Sequence, residues 1–416
     1  PRNYNTSSYV GPETLRNAIR KSNNVSAAQT LMTMVGVDRS VDFLLRMGVD
    51  SDHIDATPYG LSLGSSGITP LQLTVAYGVL ANAGVYQEPI SFLGISDSDG
   101  NVVYDSHAQQ ERRQVFRPST AWMTVDMMKG VISNGTGSSA KIKGQTVAGK
   151  TGTNSDQRGV TFSGMTGWYA SAIWVGHDNY RPLSSKSTGN GSAAPIWQSY
   201  MSKIHQAKNL SDRDIIEATP DQLGIVSATT CAVSGQLATD ACRNDSMGYG
   251  TVTDYWYEPT VPTVYCQMHQ SMTVCADTGM LATEYCPNTT VKGVVVIPNG
   301  HPLSDYVNDP EYGPVIAEYL GTASDYNYCT LHRNGYTGGD TIDDGGYGYD
   351  GDLVSDAQQL LKTAYDFMSQ LDASSTHYQN IQTAASNLQG LLNMGSASTA
   401  DIANAMAQVT QAMAGF

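Results

Sequence analysis

The chain has 416 residues, more than one ordinary globular core holds, so two or three domains are expected. It carries 23 Lys and Arg against 38 Asp and Glu, a formal net charge of −15. That balance argues against a nucleic-acid partner, which would need a basic footprint.

The acidic excess is uneven. Residues 1–209 hold 18 basic and 14 acidic side chains, net +4, whereas residues 210–416 hold 5 and 24, net −19. Charged residues make up only 15%, below the roughly 25% usual for soluble domains. Gly, Ser, Thr, Tyr and Asn fill the gap, as on many extracytoplasmic surfaces. No apolar run approaches the roughly 18 residues that span a bilayer, and no signal peptide is legible. The opening Pro1-Arg2-Asn3-Tyr4 leads to the expectation of a fragment whose upstream part, with any membrane anchor, is missing. All six Cys lie between 231 and 329, which disfavours the scattered buried cysteines of a cytosolic protein.

Residues 12–84 read as helices. Pro12 after Gly11 suits a first helical position, and Leu15, Ala18 and Ile19 make an apolar stripe. Val25, Ala28, Met32 and Val35 repeat at helical spacing up to Gly36, and Asp38 caps a run through Val41, Leu44, Leu45 and Met47. Thr69-Pro70 caps a fourth helix, Leu71 to Ala83, closed by Gly84. These stripes predict plain core. Short strands follow at 90–95 and 102–104, then a helix over 119–132. Strands are predicted at 147–153 and 165–175, with a closing helix over 193–207. The first half is therefore α+β: helices, a mainly antiparallel sheet, and a helix to pack on it.

Residues 224–333 contain an internal repeat. Cys231 to Cys242 and Cys275 to Cys286 each read Cys, ten residues, Cys, with Gly, Leu-Ala-Thr and an acidic residue in matching places. Each is followed by Cys-x-x-His, at Cys266…His269 and Cys329…His332, the second after an insert over about 303–327. Such a duplication marks small β modules. Residues 334–352 form a Gly/Asp/Tyr linker that cannot bury enough apolar surface to fold alone. Residues 353–416 return to helical spacing: Leu360, Leu361, Ala364 and Phe367, then Ile381, Ala385 and Leu388, then Ile402, Met406 and Val409. They predict a small three-helix bundle. The Asp cluster at 340–352 could hold Ca²⁺, but its irregular spacing favours a solvated linker.

Two short motifs carry chemistry. Lys150-Thr151-Gly152-Thr153 sits at the start of a predicted strand. The pleat puts Lys150 and Gly152 on one face and Thr151 and Thr153 on the other. Gly152 leaves room for a ligand backbone, and a Lys with neighbouring hydroxyls can hold a carboxylate. Ser22-Asn23-Asn24 falls between two helices, where Ser and Asn are ordinary caps. Ser-x-Asn followed 128 residues later by Lys-Thr-Gly is nevertheless the ordered pair of penicillin-recognising serine enzymes.

Together with Thr14-Leu15-Arg16-Asn17-Ala18, Thr69-Pro70-Leu71-Gln72-Leu73, Gly135-Thr136-Gly137 and Trp174-Val175-Gly176, these motifs make residues 1–209 resemble the transpeptidase domain of class A penicillin-binding proteins. The Cys/His repeat resembles a segment that follows this domain in some members. The resemblance implies a penicillin-binding, serine β-lactamase-like fold. It also implies acyl transfer from D-Ala-D-Ala stem peptides of peptidoglycan to a neighbouring amine, with β-lactams as mimics. Ser22 would relay a proton, Asn24 would bind the substrate amide, and Lys150 would supply positive charge. Thr151 and Thr153 would bind the terminal carboxylate, with Gly152 between them and the Thr153 N–H in the oxyanion hole. The intact protein is expected to be a bifunctional cell-wall synthase outside the cell membrane, anchored upstream, with cell-wall, divisome or elongasome proteins as further partners. The alternative is a non-enzymatic extracellular or wall-binding scaffold that keeps the fold. A β-lactamase fits less well, because no Glu lies between Glu13 and Glu88 to activate a deacylating water.

No cofactor is expected for the reaction. The sets Cys231, Cys242, Cys266, His269 and Cys275, Cys286, Cys329, His332 leave three readings open. They are Cys₃His zinc sites, disulfides closing the two ten-residue loops, or free thiols. Each gives the repeats a structural role. The nucleophile and base of the family sit in Ser-x-x-Lys upstream of Ser-x-Asn. Ser138-Ser139-Ala140-Lys141 fits the letters but lies downstream, in a Gly/Ser loop. The chain is thus expected to hold half an active site. Labelled penicillin should not acylate residues 1–416 expressed alone, and a stoichiometric acyl adduct on any of its serines would contradict this.

Overall fold

The computed structural model describes residues 3, 10–307, 309, 311–321, 328–332, 351–369, 371, 375–394 and 399–413. Residues 1–337 form one compact unit and residues 338–416 another.

The first unit opens with α1 (Leu15–Lys21), α2 (Asn24–Thr30), α3 (Val37–Arg46), α4 (Pro58–Leu63) and α5 (Pro70–Ala81). The cap of α1 is Thr14, whose Oγ1 accepts from the Asn17 N–H at 3.2 Å, so the helix starts after Pro12 rather than at it. Gly36, not Asp38, caps α3. The α5 start is as the sequence predicts: Thr69 and Gln72 close a reciprocal capping box and Pro70 takes the first turn. The stripes are less buried than their spacing suggests. Ala18, Ala28 and Leu31 are core, but Leu15 and Met32 are more than half exposed.

Two small hairpin-like pairs follow, β1 (Val85–Gln87) with β4 (Arg112–Gln114) and β2 (Gly94–Ser96) with β3 (Val102–Asp105). A one-turn α6 (Ser106–Gln109) lies between β3 and β4. The long α7 (Pro118–Asn134) then leads to an antiparallel sheet ordered β5 (Ala148–Thr153), β6 (Gly159–Met165), β7 (Ala170–Gly176). The predicted strand over 165–175 is β7 from Ala170 onward, with Met165 ending β6; the turn between them is closed by the Thr166 N–H on the Tyr169 carbonyl at 2.9 Å. Val160 and Phe162 of β6 point toward α8 (Ala194–Ala207), where Phe162 meets fully buried Trp197 edge-on at 5.1 Å. Met165 and Ala148 point the other way, into Ala121, Val125 and Met128 of α7 with Tyr77 and Leu80 of α5. The period-two alternation of the strands thus sorts two cores onto two faces.

The repeat begins with β8 (Ile225–Cys231), α9 (Asp240–Arg243) and β9 (Thr251–Tyr257). It continues with β10 (His269–Cys275), β11 (Thr289–Val295) and α10 (Gly313–Leu320). β8 pairs with β9 and β10 with β11, both antiparallel. The copies interlock, since the Gly293 N–H donates to the Asn244 carbonyl at 2.7 Å and the Ser246 N–H to the Gly293 carbonyl at 2.8 Å. A Cβ at Gly293 would sit 1.8 Å from the Ala241 carbonyl oxygen, so the crossing needs glycine. These modules do not stand apart from residues 1–209. Arg16 of α1 lies 2.8 Å from the Asp126 carboxylate of α7, and its Nε donates to Asp254 of β9 at 2.9 Å. Trp122 and Tyr255 pack edge-on beside this ion pair, 5.0 Å between centroids.

The second unit is a bundle of α11 (Gly351–Met368), α12 (Thr376–Met394) and α13 (Thr399–Met413). Its core repeats at helical spacing: Ala357, Leu361, Ala364 and Ile381, Ala385, Leu388 at i, i+4, i+7, then Ile402, Ala405, Val409 at i, i+3, i+7. Most of the Gly/Asp linker over 334–352 lies outside the described residues, but its last two positions belong to α11.

The Arg16 junction is partly buried, so removing the guanidinium leaves two carboxylates facing each other. The Arg16→Ala variant should lose about 2 kcal/mol of stability in chemical denaturation. Burial raises the Asp254 carboxyl, but the bond from Arg16 wins and holds it below the usual carboxylate range. The folded value lies below the unfolded one, so this stability is present above pH ~4 and is lost as pH falls through the depressed value. The wild-type advantage over Arg16→Ala should shrink in acid accordingly.

Candidate active site

The corner between α1 and α2 presents Ser22. Ser22 ends α1 in the left-handed region, φ 58° and ψ 51°, which costs a residue with a Cβ about 1–2 kcal/mol. Its neighbours hold it there. The Asn23 N–H returns to the Ala18 carbonyl at 2.9 Å, and Asn23 Oδ1 caps α2 by accepting from the N–H groups of Val25 and Ser26 at 3.0 and 3.2 Å. Glu13 accepts from the Asn23 amide and, at 2.6 Å, from the Ser26 hydroxyl. The capping role that the composition of this tripeptide suggests thus falls to buried Asn23. Ser22 stays exposed and Asn24 half-buried at the first turn of α2, its backbone N–H donating to Asn3 Oδ1 at 2.8 Å.

β5 is an edge strand, paired only with β6. Lys150 Nζ donates to Ser22 Oγ at 2.7 Å and to the Thr151 carbonyl at 3.0 Å. Two motifs 128 residues apart are therefore joined by a direct bond. Burial pushes the Lys150 ammonium down to about 8. Thr151 Oγ1 donates to Thr136 Oγ1 at 3.0 Å, and Thr153 Oγ1 accepts from the Gly189 N–H at 3.0 Å. The pleat argument holds for the two threonines, which share a face, and Lys150 takes the route to Ser22.

Two contributors were not predicted as site residues. Thr136 follows Gly135, whose Cβ would lie 2.6 Å from the Arg20 carbonyl oxygen, and the Thr136 N–H donates to that carbonyl at 3.2 Å. The strap ties the end of α1 to β5. Gly189 lies so close that a Cβ would meet the Gly152 oxygen and Thr151 Cβ at 2.8 Å. The Gly135-Thr136-Gly137 spelling held the available signal; Gly189, in a Gly/Ser stretch, carried none. Ser138–Ala140 is a short 3₁₀ turn with Ser138 and Lys141 both exposed, and the Ser139 N–H donates to Asn190 at 2.9 Å. This turn does not join the Ser22–Lys150 pair.

A lysine near its deprotonation range, bonded to an exposed hydroxyl beside two threonines on an edge strand, can pass a proton through the hydroxyl and hold an anion. Residues 2–175 match the family model described as penicillin binding protein transpeptidase domain, and residues 222–271 match that of the penicillin-binding protein 1A C-terminal domain. The chain carries a penicillin-binding-protein transpeptidase domain. A penicillin-binding protein 1A from Clostridium botulinum (strain Langeland) is 31% identical over 267 residues, covering 63% of this chain and 31% of that protein. One from Aquifex aeolicus is 35% identical over 205 residues, 49% of this chain and 27% of the relative. The chain thus spans about a third of the length of the curated relatives it matches. The crystal structure of penicillin-binding protein 1A from Haemophilus influenzae shares the fold at 23% identity and TM-score 0.53, over 64% of this chain and 43% of that one. The α+β penicillin-binding fold is therefore as the sequence predicts.

The Cys/His positions form two groups, Cys231, Cys242, Cys266, His269 and Cys275, Cys286, Cys329, His332, within 4.8 Å in each. All six Cys are free, so neither ten-residue loop is closed by a disulfide.

The partly buried ammonium of Lys150 has a stability consequence. Its folded value near 8 lies below the unfolded value of about 10.4, so the folded state binds fewer protons between them. Stability contributed by this group is lowest below pH 8 and rises up to about pH 10.4. The Lys150→Met variant should gain stability over wild type at about pH 7, and the gain should fade across roughly pH 8–10.4 in denaturant titrations.

Proposed function

We propose that residues 1–209 belong to a peptidoglycan D,D-transpeptidase, the penicillin-sensitive part of a bifunctional class A cell-wall synthase. The observation that carries this reading is the 2.7 Å bond from Lys150 to Ser22, in a domain of the transpeptidase family. In the reaction a Ser-x-x-Lys serine of the intact protein attacks the penultimate D-Ala carbonyl of a stem peptide. The tetrahedral oxyanion is held by backbone N–H groups, that of Thr153 among them. Ser22, kept polarised by Lys150, hands a proton to the leaving nitrogen, and D-Ala departs. An amine of a neighbouring strand then attacks the ester, forms the cross-link and returns the serine. Asn24 orients the donor amide, while Thr151 and Thr153 bind the terminal carboxylate against the Lys150 charge. β-Lactams enter as mimics of D-Ala-D-Ala and stop at the acyl-enzyme.

The reaction belongs outside the cytoplasmic membrane, where the polymer is. The intact protein is held there by an anchor beyond the residues described, among which no helix is long and apolar enough to cross a bilayer. In the intact protein, Ser22→Ala should slow acylation by fluorescent penicillin about 100-fold or more, with the fold retained by circular dichroism. An undiminished rate would sink the assignment.

A further inference from the structure

We propose that the duplicated module binds two structural zinc ions, one in each Cys₃His group. In the first group Cys231 ends β8, Cys242 lies in α9, and Cys266 and His269 flank the start of β10; all four are buried. In the second, Cys275 ends β10, Cys286 lies beyond it, and Cys329 and His332 close the copy. The scaffolds correspond bridge for bridge. Leu237 pairs with Thr230 and Tyr265, and Leu281 pairs with Val274 and Tyr328.

The chemistry of the donors favours a metal over a disulfide. Three thiols leave one unpaired in any disulfide scheme confined to one group, whereas three thiolates and an imidazole complete a closed tetrahedron within it. Zn–S and Zn–N bonds of about 2.3 and 2.0 Å set neighbouring ligand atoms about 3.5–3.8 Å apart. His269 Nδ1 lies 3.3 Å from Cys231 Sγ and 3.6 Å from Cys266 Sγ, and His332 Nδ1 lies 3.2 and 3.5 Å from Cys275 and Cys329. Backbone N–H groups point at the sulfurs: Val233 and Ser234 at Cys231 and Thr239 at Cys242, each 3.4 Å, and Thr283 at Cys286, 3.3 Å. That is the polarity a thiolate requires.

The second observation is independent of the duplication. Both imidazoles present Nδ1 to sulfur and Nε2 to a carboxylate, at 3.3 Å from Asp245 and 3.4 Å from Asp277. A carboxylate behind a ligating His fixes its tautomer and raises its basicity. The two acids do not occupy equivalent places in the repeat. Asp245 stands three residues after the second Cys, where the other copy has Thr289; Asp277 stands two after the first Cys, where the other copy has Val233. The same carboxylate–histidine arrangement has arisen from different positions, which a merely inherited sequence pattern would not produce. Loading each group joins one Zn²⁺ to three sulfurs and Nδ1 and releases three thiol protons.

The test is zinc content and intact mass of the 416-residue chain, purified without added reductant. Two zinc ions per chain in native mass spectrometry, with all six cysteines unoxidised after denaturation, support the inference. Loss of two hydrogens per cysteine pair with no metal overturns it, as does fewer than two zinc ions after reconstitution with excess zinc. Cys266→Ser and Cys329→Ser should each reduce the stoichiometry to one. Should either variant fail to fold, cobalt substitution of the wild-type chain decides: two equivalents should give the visible bands of tetrahedral thiolate coordination, and octahedral spectra would overturn it. Asp245→Asn and Asp277→Asn should keep the stoichiometry but weaken zinc about 10–100-fold against a chromophoric chelator. Unchanged affinity would remove the carboxylates from the site.

Discussion

One hydrogen bond sets the terms for the first 209 residues. A hydroxyl on a helix corner must meet an ammonium on an edge strand 128 residues later, at 2.7 Å. Neither partner sits there cheaply. Ser22 holds a left-handed backbone, and Lys150 keeps its charge against burial. Such arrangements persist only where the surroundings over-determine them. Here α7 supplies that surround. Its buried face of Ala121, Val125 and Met128 packs with Ala148 at the root of β5 and with Ile19 of α1. Its C-terminal exit, Gly135-Thr136, then bonds the end of α1 on one side and Thr151 on the other. The helix and its strap act as the spacer that fixes the distance between motifs.

The sequence exposed this site unevenly, and the reasons are physical. Lys150, Thr151 and Thr153 stood out through the Lys-Thr-Gly spelling, since strand periodicity says which side chains share a face but not which face meets a ligand. Ser22 was legible only through its pairing with Lys150; alone, a Ser between helices is a cap. The structure shows that the cap exists one residue later, at Asn23, so the local reading was right about the tripeptide and silent about its first member. Thr136 and Gly189 act through close approach of segments far apart in the chain. No pattern within either segment encodes that approach. The same limit explains the helical stripes of residues 15–35. Spacing says which residues share a face, but not whether anything covers it, and Leu15 and Met32 remain largely exposed. The bundle of residues 351–413 was the easier case, since its three faces cover one another.

The division drawn from composition also needs refinement. The near-neutral half and the Cys/His part of the acidic half lie in one compact unit, residues 1–337. An acid of the second half, Asp254, is one of the two partners of Arg16 in α1. The remaining boundary, before the bundle, falls in the Gly/Asp/Tyr stretch, where composition alone indicates that no core can form.

That tie gives the Cys/His modules a bearing on the candidate active site. Arg16 precedes Ser22 by six residues on the same short helix, and Asp254 stands in β9, paired in register with Ala228 of β8. Three residues further along β8 is Cys231, the first ligand position of the first group. A metal there would close β8, α9 and the start of β10 onto one centre, fixing the strand pair from which Asp254 reaches α1. Rigidity at the Cys₃His group would pass through two paired strands and one ion pair to the helix that presents the hydroxyl. The insert of the second copy reinforces this from outside, since Leu320 and Ile316 of α10 pack against the Cys231, Cys242 and Cys266 cluster. The acidic module would thus act through position, holding the far end of α1 still while Lys150 holds the near end.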